Sequence, residues 1–302
     1  MATDAEFEEK EYEIPLYMEL VASASNIWPP GQVLEEHFGF DAAVLATGLG
    51  FWSRLGFPVP LEGVVMDHLN WGFIWRRVGH RRRLPTFGTN LMLQVKRPQF
   101  LRRRTRGLAS KGLSNPYWRF PIREHQQQAL ARVASKLGHR ALVAYACAAF
   151  HELSTLYQCI EHQGLVDNST FVKAQRLHNH SYWAFDCPGT SGCCCSDPED
   201  VSDKPFLDQV RVLAEMDAEV EPSQENILHA LEDLAQNLLA VCKEEARHKN
   251  PRAVEALRLH PRIEDIRKEI SVDSEREERA VRAFATVALF CNTFQLHWYV
   301  LG

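Results

Sequence analysis

Gln94 and Lys96 sit two residues apart inside the apolar run Leu91 to Lys96 (Leu-Met-Leu-Gln-Val-Lys), so on an extended chain both side chains project to one face. Asp41 stands near the head of a second apolar run, Phe40 to Ala46, and Glu35 lies just upstream of it. Taking a charge or an amide out of water is costly unless it is paired or gains a ligand. If the two runs pair as strands, a carboxylate, an amide oxygen and an ammonium converge. Such a set suits a hard divalent cation: Asp41 and Glu35 offer anionic oxygen, Gln94 a neutral one, and magnesium keeps several of its waters. Lys96 would then orient or help deprotonate an attacking water, or steady charge on a phosphate. The ordinary alternative is that these polar groups pair with one another or lie at an exposed strand edge.

Those side chains need elements to hold them. Ile27 to Gly31 carries turn chemistry, and Gln32 to Phe38 has the composition of a short helix ending at Gly39. Phe40 to Ala46 is read as a strand. Leu61 to Val78, rich in tryptophan and bounded by Pro60 and Gly79, is read as a helical insertion or lid. Leu91 to Lys96 is a compact strand closed by Pro98. Glu124 to Leu137 is a helix with Leu130, Val133, Ala134 and Leu137 on one face, and Ala141 to Phe150 is a buried strand. This order predicts an α/β fold, a mixed sheet flanked by helices.

Beyond the loop 186–204 the spacing turns helical. Ile227, Leu228, Leu231, Leu234, Leu238 and Val241 recur at helical intervals, Asn250 and Pro251 look like a cap and first position, and Ser274 with Glu277 forms a capping box. Phe284 to Gly302 is broken by Asn292, Thr293, Gln295 and His297, so it is read as a buried helix and not a membrane span. The expected organisation is an acidic segment 1–26, an α/β core 27–185, a linker 186–204 and a helical part 205–302.

The chain has 302 residues and a net charge of -5, with 45% hydrophobic and 24% charged residues, enough to bury a full core. Its charge is unevenly spread. Between Gly72 and Gly112 there is no acid, whereas twelve Lys and Arg residues fall there, among them Arg81, Arg82, Arg83, Arg97, Arg102, Arg103 and Arg104. A segment so one-sided repels itself, so it faces an anionic partner such as a phosphate backbone, or the acidic stretches of its own chain. Met1 to Glu13 holds six acids and no apolar leader, so a cytoplasmic location is expected. The eight cysteines are then expected as thiols. Cys187 with Cys193, Cys194 and Cys195 is read as a cysteine-rich loop and not a zinc site, because contiguous side chains on an extended chain point to opposite sides. Trp52, Trp71 and Trp75 are read as core. His178-Asn179-His180 and His151-Glu152 lack the spacing of a metal motif, and no glycine-rich phosphate loop is present.

The residues Glu35, Gly39-Phe40-Asp41, Gln94-Val95-Lys96-Arg97 and the helix from Glu124 to Leu137 resemble, in their order, the PD-(D/E)XK nuclease superfamily, which includes Holliday-junction resolvases and Mrr-like restriction enzymes. The likeness spans about residues 30 to 150. It implies a restriction-endonuclease-like core cleaving phosphodiesters of DNA with magnesium or manganese. Asp41 would be the principal ligand, Glu35 and Gln94 would complete the shell, and Lys96 would be the catalytic lysine. Glu36 is the alternative to Glu35, and the helix after the lysine strand would add Gln126 or Gln128. One departure stands out, since glutamine occupies position 94 where an acid is commoner. By analogy, the relatives point to defence against foreign DNA in bacteria, acting as a homodimer or with a partner subunit. A catalytically silent nucleic-acid-binding or assembly module, or a protein whose basic segment meets an acidic partner, are the competing readings.

Overall fold

The computed structural model of the protein describes residues 2–23, 27–28, 88–194, 200–201, 203–217, 223–264 and 275–301. The expected elements at Gln32 to Phe38, Phe40 to Ala46 and Leu61 to Val78, and the three tryptophans named above, lie outside the described residues. Two compact units divide the chain, Met1–Ile27 with Leu91–Leu213 and Trp28–Asn90 with Ala214–Gly302.

The first unit is built on strands that read as continuous apolar runs because both of their faces are covered. β6 (Ala141–Ala148) is buried at every position. It lies between β3 (Thr89–Lys96), equally buried, and β7 (Ser169–Lys173). β6 and β7 run antiparallel, with Ala144 opposite Lys173 and Ala148 opposite Ser169. A second, antiparallel sheet follows the order β1 (Thr3–Asp4), β4 (Gln99–Leu101), β5 (Tyr117–Pro121), β8 (Tyr182–Phe185), β9 (Gly192–Cys194) and β10 (Asp200–Val201). Phe120 on β5 stacks on Tyr145 of β6, centroids 5.7 Å apart, joining the two sheets through aromatic surface. β2 (Ile27–Trp28) is a two-residue strand.

α1 (Glu9–Ser23) occupies the acidic N-terminal stretch and buries Tyr12, Leu16 and Leu20 along one side. α2 (Arg106–Ser110) lies between β4 and β5. α3 (Glu124–Leu137) has the bounds expected from its spacing, buries Leu130, Val133, Ala134 and Leu137, and ends at Gly138, whose φ of 57° favours glycine. α4 (Leu153–Glu161) and α5 (Phe206–Asp217) follow. Glu19 of α1 accepts the backbone N–H groups of Leu165 and Val166 at 2.7 and 2.9 Å, fastening the N-terminal helix to the turn before β7. The cysteine-rich stretch is not the loop expected. Cys193 and Cys194 lie buried on β9, whose β-branch-free but small residues fit between strands, while Cys187 is exposed and Cys195 lies outside the described residues.

The described part of the second unit is mainly helical: α6 (Gln224–Arg247), α7 (Pro251–Leu259), α8 (Pro261–Glu264) and α9 (Glu275–Phe294). The apolar face of α6 is the expected one, Ile227 through Val241, all buried. The expected single helix from Phe284 to Gly302 is corrected. α9 stops at Phe294, Gln295 takes φ 56°, and the Leu296 N–H reaches back to the Cys291 carbonyl at 2.8 Å, the closing bond of a Schellman turn. The aromatic and β-branched run His297–Leu301 then forms β11. Ser274, half of the expected capping box, lies outside the described residues.

The Asn250 cap is as expected, and it does two things. Its side chain accepts from the Arg252 N–H at 3.2 Å and donates to the Glu245 carboxylate at 2.8 Å, both residues being buried, with Glu245 0% exposed. Asn250→Ala is expected to lower stability by about 2–4 kcal/mol, about 1 for the cap and about 1–3 for the donor taken from a buried carboxylate. Urea unfolding checks this, and a loss below 0.5 kcal/mol would show that the cap is dispensable.

Burial pushes the Cys242 thiol, with help from the Glu245 charge, up to about 12, and burial alone does the same to Cys291. The folded chain therefore keeps protons that the unfolded chain releases near 9, the ordinary thiol value. This stabilisation is complete below about 9 and is lost as pH climbs from there to about 12. Within that window each thiol adds a slope of up to about 1.4 kcal/mol per pH unit. Urea titrations at several alkaline pH values should show a shallower decline in the Cys242→Ala, Cys291→Ala chain than in the parent; parallel declines would contradict it.

Candidate functional site

Strand alternation on β3 sends Gln94 and Lys96 to the same side, as their spacing requires. Both are buried, at 1% and 7% exposure. The first turn of α3 faces them. Lys96 Nζ donates to Gln126 Oε1 at 2.9 Å, and Gln126 Nε2 donates to Gln94 Oε1. Gln94 Nε2 in turn reaches the Val95 carbonyl at 3.2 Å. The ring of Tyr145 on β6 lies under the ammonium, 5.6 Å from nitrogen to centroid, a cation–π contact that partly offsets desolvation. Three residues from two separated segments thus form one continuous hydrogen-bonded chain, as buried polar groups must. Of the two glutamines weighed for the helix, Gln126 is the buried one, whereas Gln128 bonds to Glu124 within its own helix.

The neighbouring Gln127 makes a second chain. Tyr145 Oη donates to Gln127 Oε1 at 2.7 Å, and Gln127 Nε2 donates to the Ala174 carbonyl. Burial drives the Tyr145 hydroxyl well above its ordinary range, so it works as a neutral donor.

Next to this network lies the buried thiol of Cys147. Burial raises its pKa, the Glu9 carboxylate of α1 raises it further, and the Lys96 ammonium lowers it. Glu9 and Lys96 therefore act on one and the same group, with opposite sign. Sequence reasoning placed the helix carboxylate at Glu35 and did not read the helix that carries Glu9. The signal available was the run Tyr12, Leu16, Leu20, which marks a helix beginning among the acids.

Glu35 and Asp41 lie outside the described residues, as do Arg81, Arg82 and Arg83. What the structure places together is the amide-and-lysine half of the expected constellation: Gln94, Lys96 and Gln126. The chain matches no family model, no curated protein and no solved structure. Among the described residues no three His, Cys, Asp or Glu side chains converge as a metal centre would need. Gln94 and Gln126 by themselves supply only neutral oxygen, which is too little for magnesium; the fit depends on the carboxylates of Asp41 and Glu35. Gln94 Oε1 keeps one lone pair after accepting from Gln126, so it retains the capacity to complete such a shell.

The arginines expected to meet nucleic acid divide into two kinds. Arg97 points back into the fold, bonding Glu8 at 2.9 Å and the Ala5 carbonyl at 2.5 Å. Arg104 donates to the Leu113 carbonyl. Arg102 and Arg103 are exposed.

Proposed function

We propose that this chain is a metal-dependent nuclease with a restriction-endonuclease-like core that hydrolyses phosphodiester bonds of DNA. The observation that carries the reading is the buried chain Lys96–Gln126–Gln94. A lysine is rarely held away from water, and here the helix after its strand orients the ammonium through the Gln126 amide oxygen. Lys96 would steady the developing negative charge on the scissile phosphate or orient the attacking water. Gln126 fixes the ammonium at one position, and Gln94 holds Gln126 in turn. Magnesium or manganese, held by Asp41 and Glu35 with Gln94, would supply Lewis acidity to the phosphate.

A second reading is favoured by one specific feature. The hydrogen-bonded chain runs between groups of the fold itself, as a retained structural core would, which agrees with a catalytically silent nucleic-acid-binding or assembly module. Purified protein incubated with supercoiled plasmid and with single-stranded DNA, in magnesium, manganese or EDTA, separates the two. The nuclease reading expects metal-dependent nicking that Asp41→Ala eliminates. Absence of cutting in every metal, by a folded protein, would select the silent module.

A further inference from the structure

The connection between β4 and β5, residues 102–116, is long for a hairpin whose ends are paired at Leu101 and Tyr117. It is nonetheless held in one shape. Leu108 and Leu113 are 4% exposed and pack with Tyr117, Ala184 and Cys193, and Leu101 leans on the same cluster. Thr105 caps α2, the Arg104 backbone N–H bonds Asn115 Oδ1 at 2.7 Å, and the Arg104 guanidinium ties to the Leu113 carbonyl. Asp186 accepts the Ser114 N–H at 2.5 Å, anchoring the far end. From this small core Arg102, Arg103, Arg106 and Lys111 are turned outward, all exposed. There is no acid anywhere from Gly88 to Arg123 to neutralise them locally.

Rigid presentation of four cations has a cost in self-repulsion that solvation alone does not reward. We infer that the 102–116 connection is a clamp for the phosphate backbone of duplex nucleic acid, with Arg102, Arg103, Arg106 and Lys111 as its contacts. The occupant is a duplex and not a single strand because residues 102–116 contain no aromatic side chain on which bases could stack. Arg106 and Lys111 join Arg102 and Arg103 here, while Arg97 and Arg104 serve the fold. The inference shares its substrate class with the nuclease reading but rests on different residues.

The test is binding of a fluorescent 20-base-pair duplex to the full chain in EDTA, followed by anisotropy across a series of salt concentrations. Each phosphate neutralised on B-DNA contributes about 0.9 to the slope of log K against log salt. The variant with Gln at positions 102, 103, 106 and 111 should therefore show a slope smaller by about 3 to 4 and an affinity at least roughly 30-fold weaker near 0.1 M salt. Its melting temperature should match the parent's, since all four side chains are exposed. Arg211→Gln with Arg258→Gln removes charge from other helices and should leave the slope unchanged. Equal binding by parent and fourfold variant, or no binding by the parent, overturns the clamp. A single strand bound more tightly than the duplex, or poly-glutamate competing as well as DNA of equal charge, overturns it too, the latter in favour of an acidic protein partner. A parent chain that binds the duplex in EDTA but never cuts it in magnesium or manganese sinks the nuclease reading alone.

Discussion

Lys96→Met is expected to cut plasmid DNA at least about 100-fold more slowly than the parent in magnesium, the loss typical of removing one group that stabilises transition-state charge, and to remain folded. Two opposing terms decide the second half of that statement. Methionine leaves Gln126 Oε1 without its lysine donor, costing about 1–3 kcal/mol. Against this, the desolvation of a buried ammonium, several kcal/mol, disappears, and methionine fills nearly the same volume. The net change in stability should therefore lie near zero or be favourable. Lost cutting with unchanged unfolding is the signature of a catalytic lysine. Undiminished metal-dependent cutting would show that Lys96 serves packing alone. Gln126→Leu supplies the companion measurement: the ammonium stays but its holder goes, so cutting should fall by about 10-fold while duplex binding in EDTA is kept.

Gly192→Ala should be among the most damaging small substitutions in the described chain, lowering stability by about 3 kcal/mol, the upper part of the range for forced overpacking. A Cβ placed at Gly192 would lie 2.3 Å from Cζ2 of Trp183 and 2.7 Å from the Ala184 carbonyl oxygen. Trp183 is 0% exposed and its indole N–H donates to Thr170, so the ring has no open space to enter. The Ala184 backbone belongs to the same ladder, paired with Cys193. Because Cys193 and Ala184 also support Leu108 and Leu113, the damage should spread to the 102–116 connection. Chemical unfolding measures the first effect, and weakened duplex binding at a temperature where the variant is still folded measures the second. A variant as stable as the parent would mean that β8 and β9 yield more readily than their spacing implies.

The parts of this fold legible in the sequence are those where one periodicity acts alone. α3 was read with its full bounds because Leu130, Val133, Ala134 and Leu137 recur on a polar background, and the centre of β6 because an uninterrupted run of small and apolar residues allows a doubly covered strand. α1 was hidden by its own composition. Acids crowd its first turn, Pro15 interrupts it, and only three apolar positions mark the buried side. β11 was hidden by continuity, since nothing in Phe284 to Leu301 resembles a breaker, and a glutamine performs the left-handed turn that glycine normally signals. For the site, same-side placement of Gln94 and Lys96 follows from spacing alone. The choice of Gln126 over Gln128 was open to the same reasoning, because Gln126 falls four and seven residues before Leu130 and Val133 on the buried stripe of α3, whereas Gln128 falls on another side of the helix.

The adjacent glutamines of α3 have one more implication. Gln126 grips β3 while Gln127 grips β6 and the carbonyl of Ala174, so consecutive residues lock the helix to two different strands at once. Sliding or rotating α3 by a single position would strand four buried amide and hydroxyl groups together, with no partial arrangement that keeps half of them satisfied. The lysine's setting is therefore all-or-none: either the helix sits in this one register, or the whole polar seam comes apart.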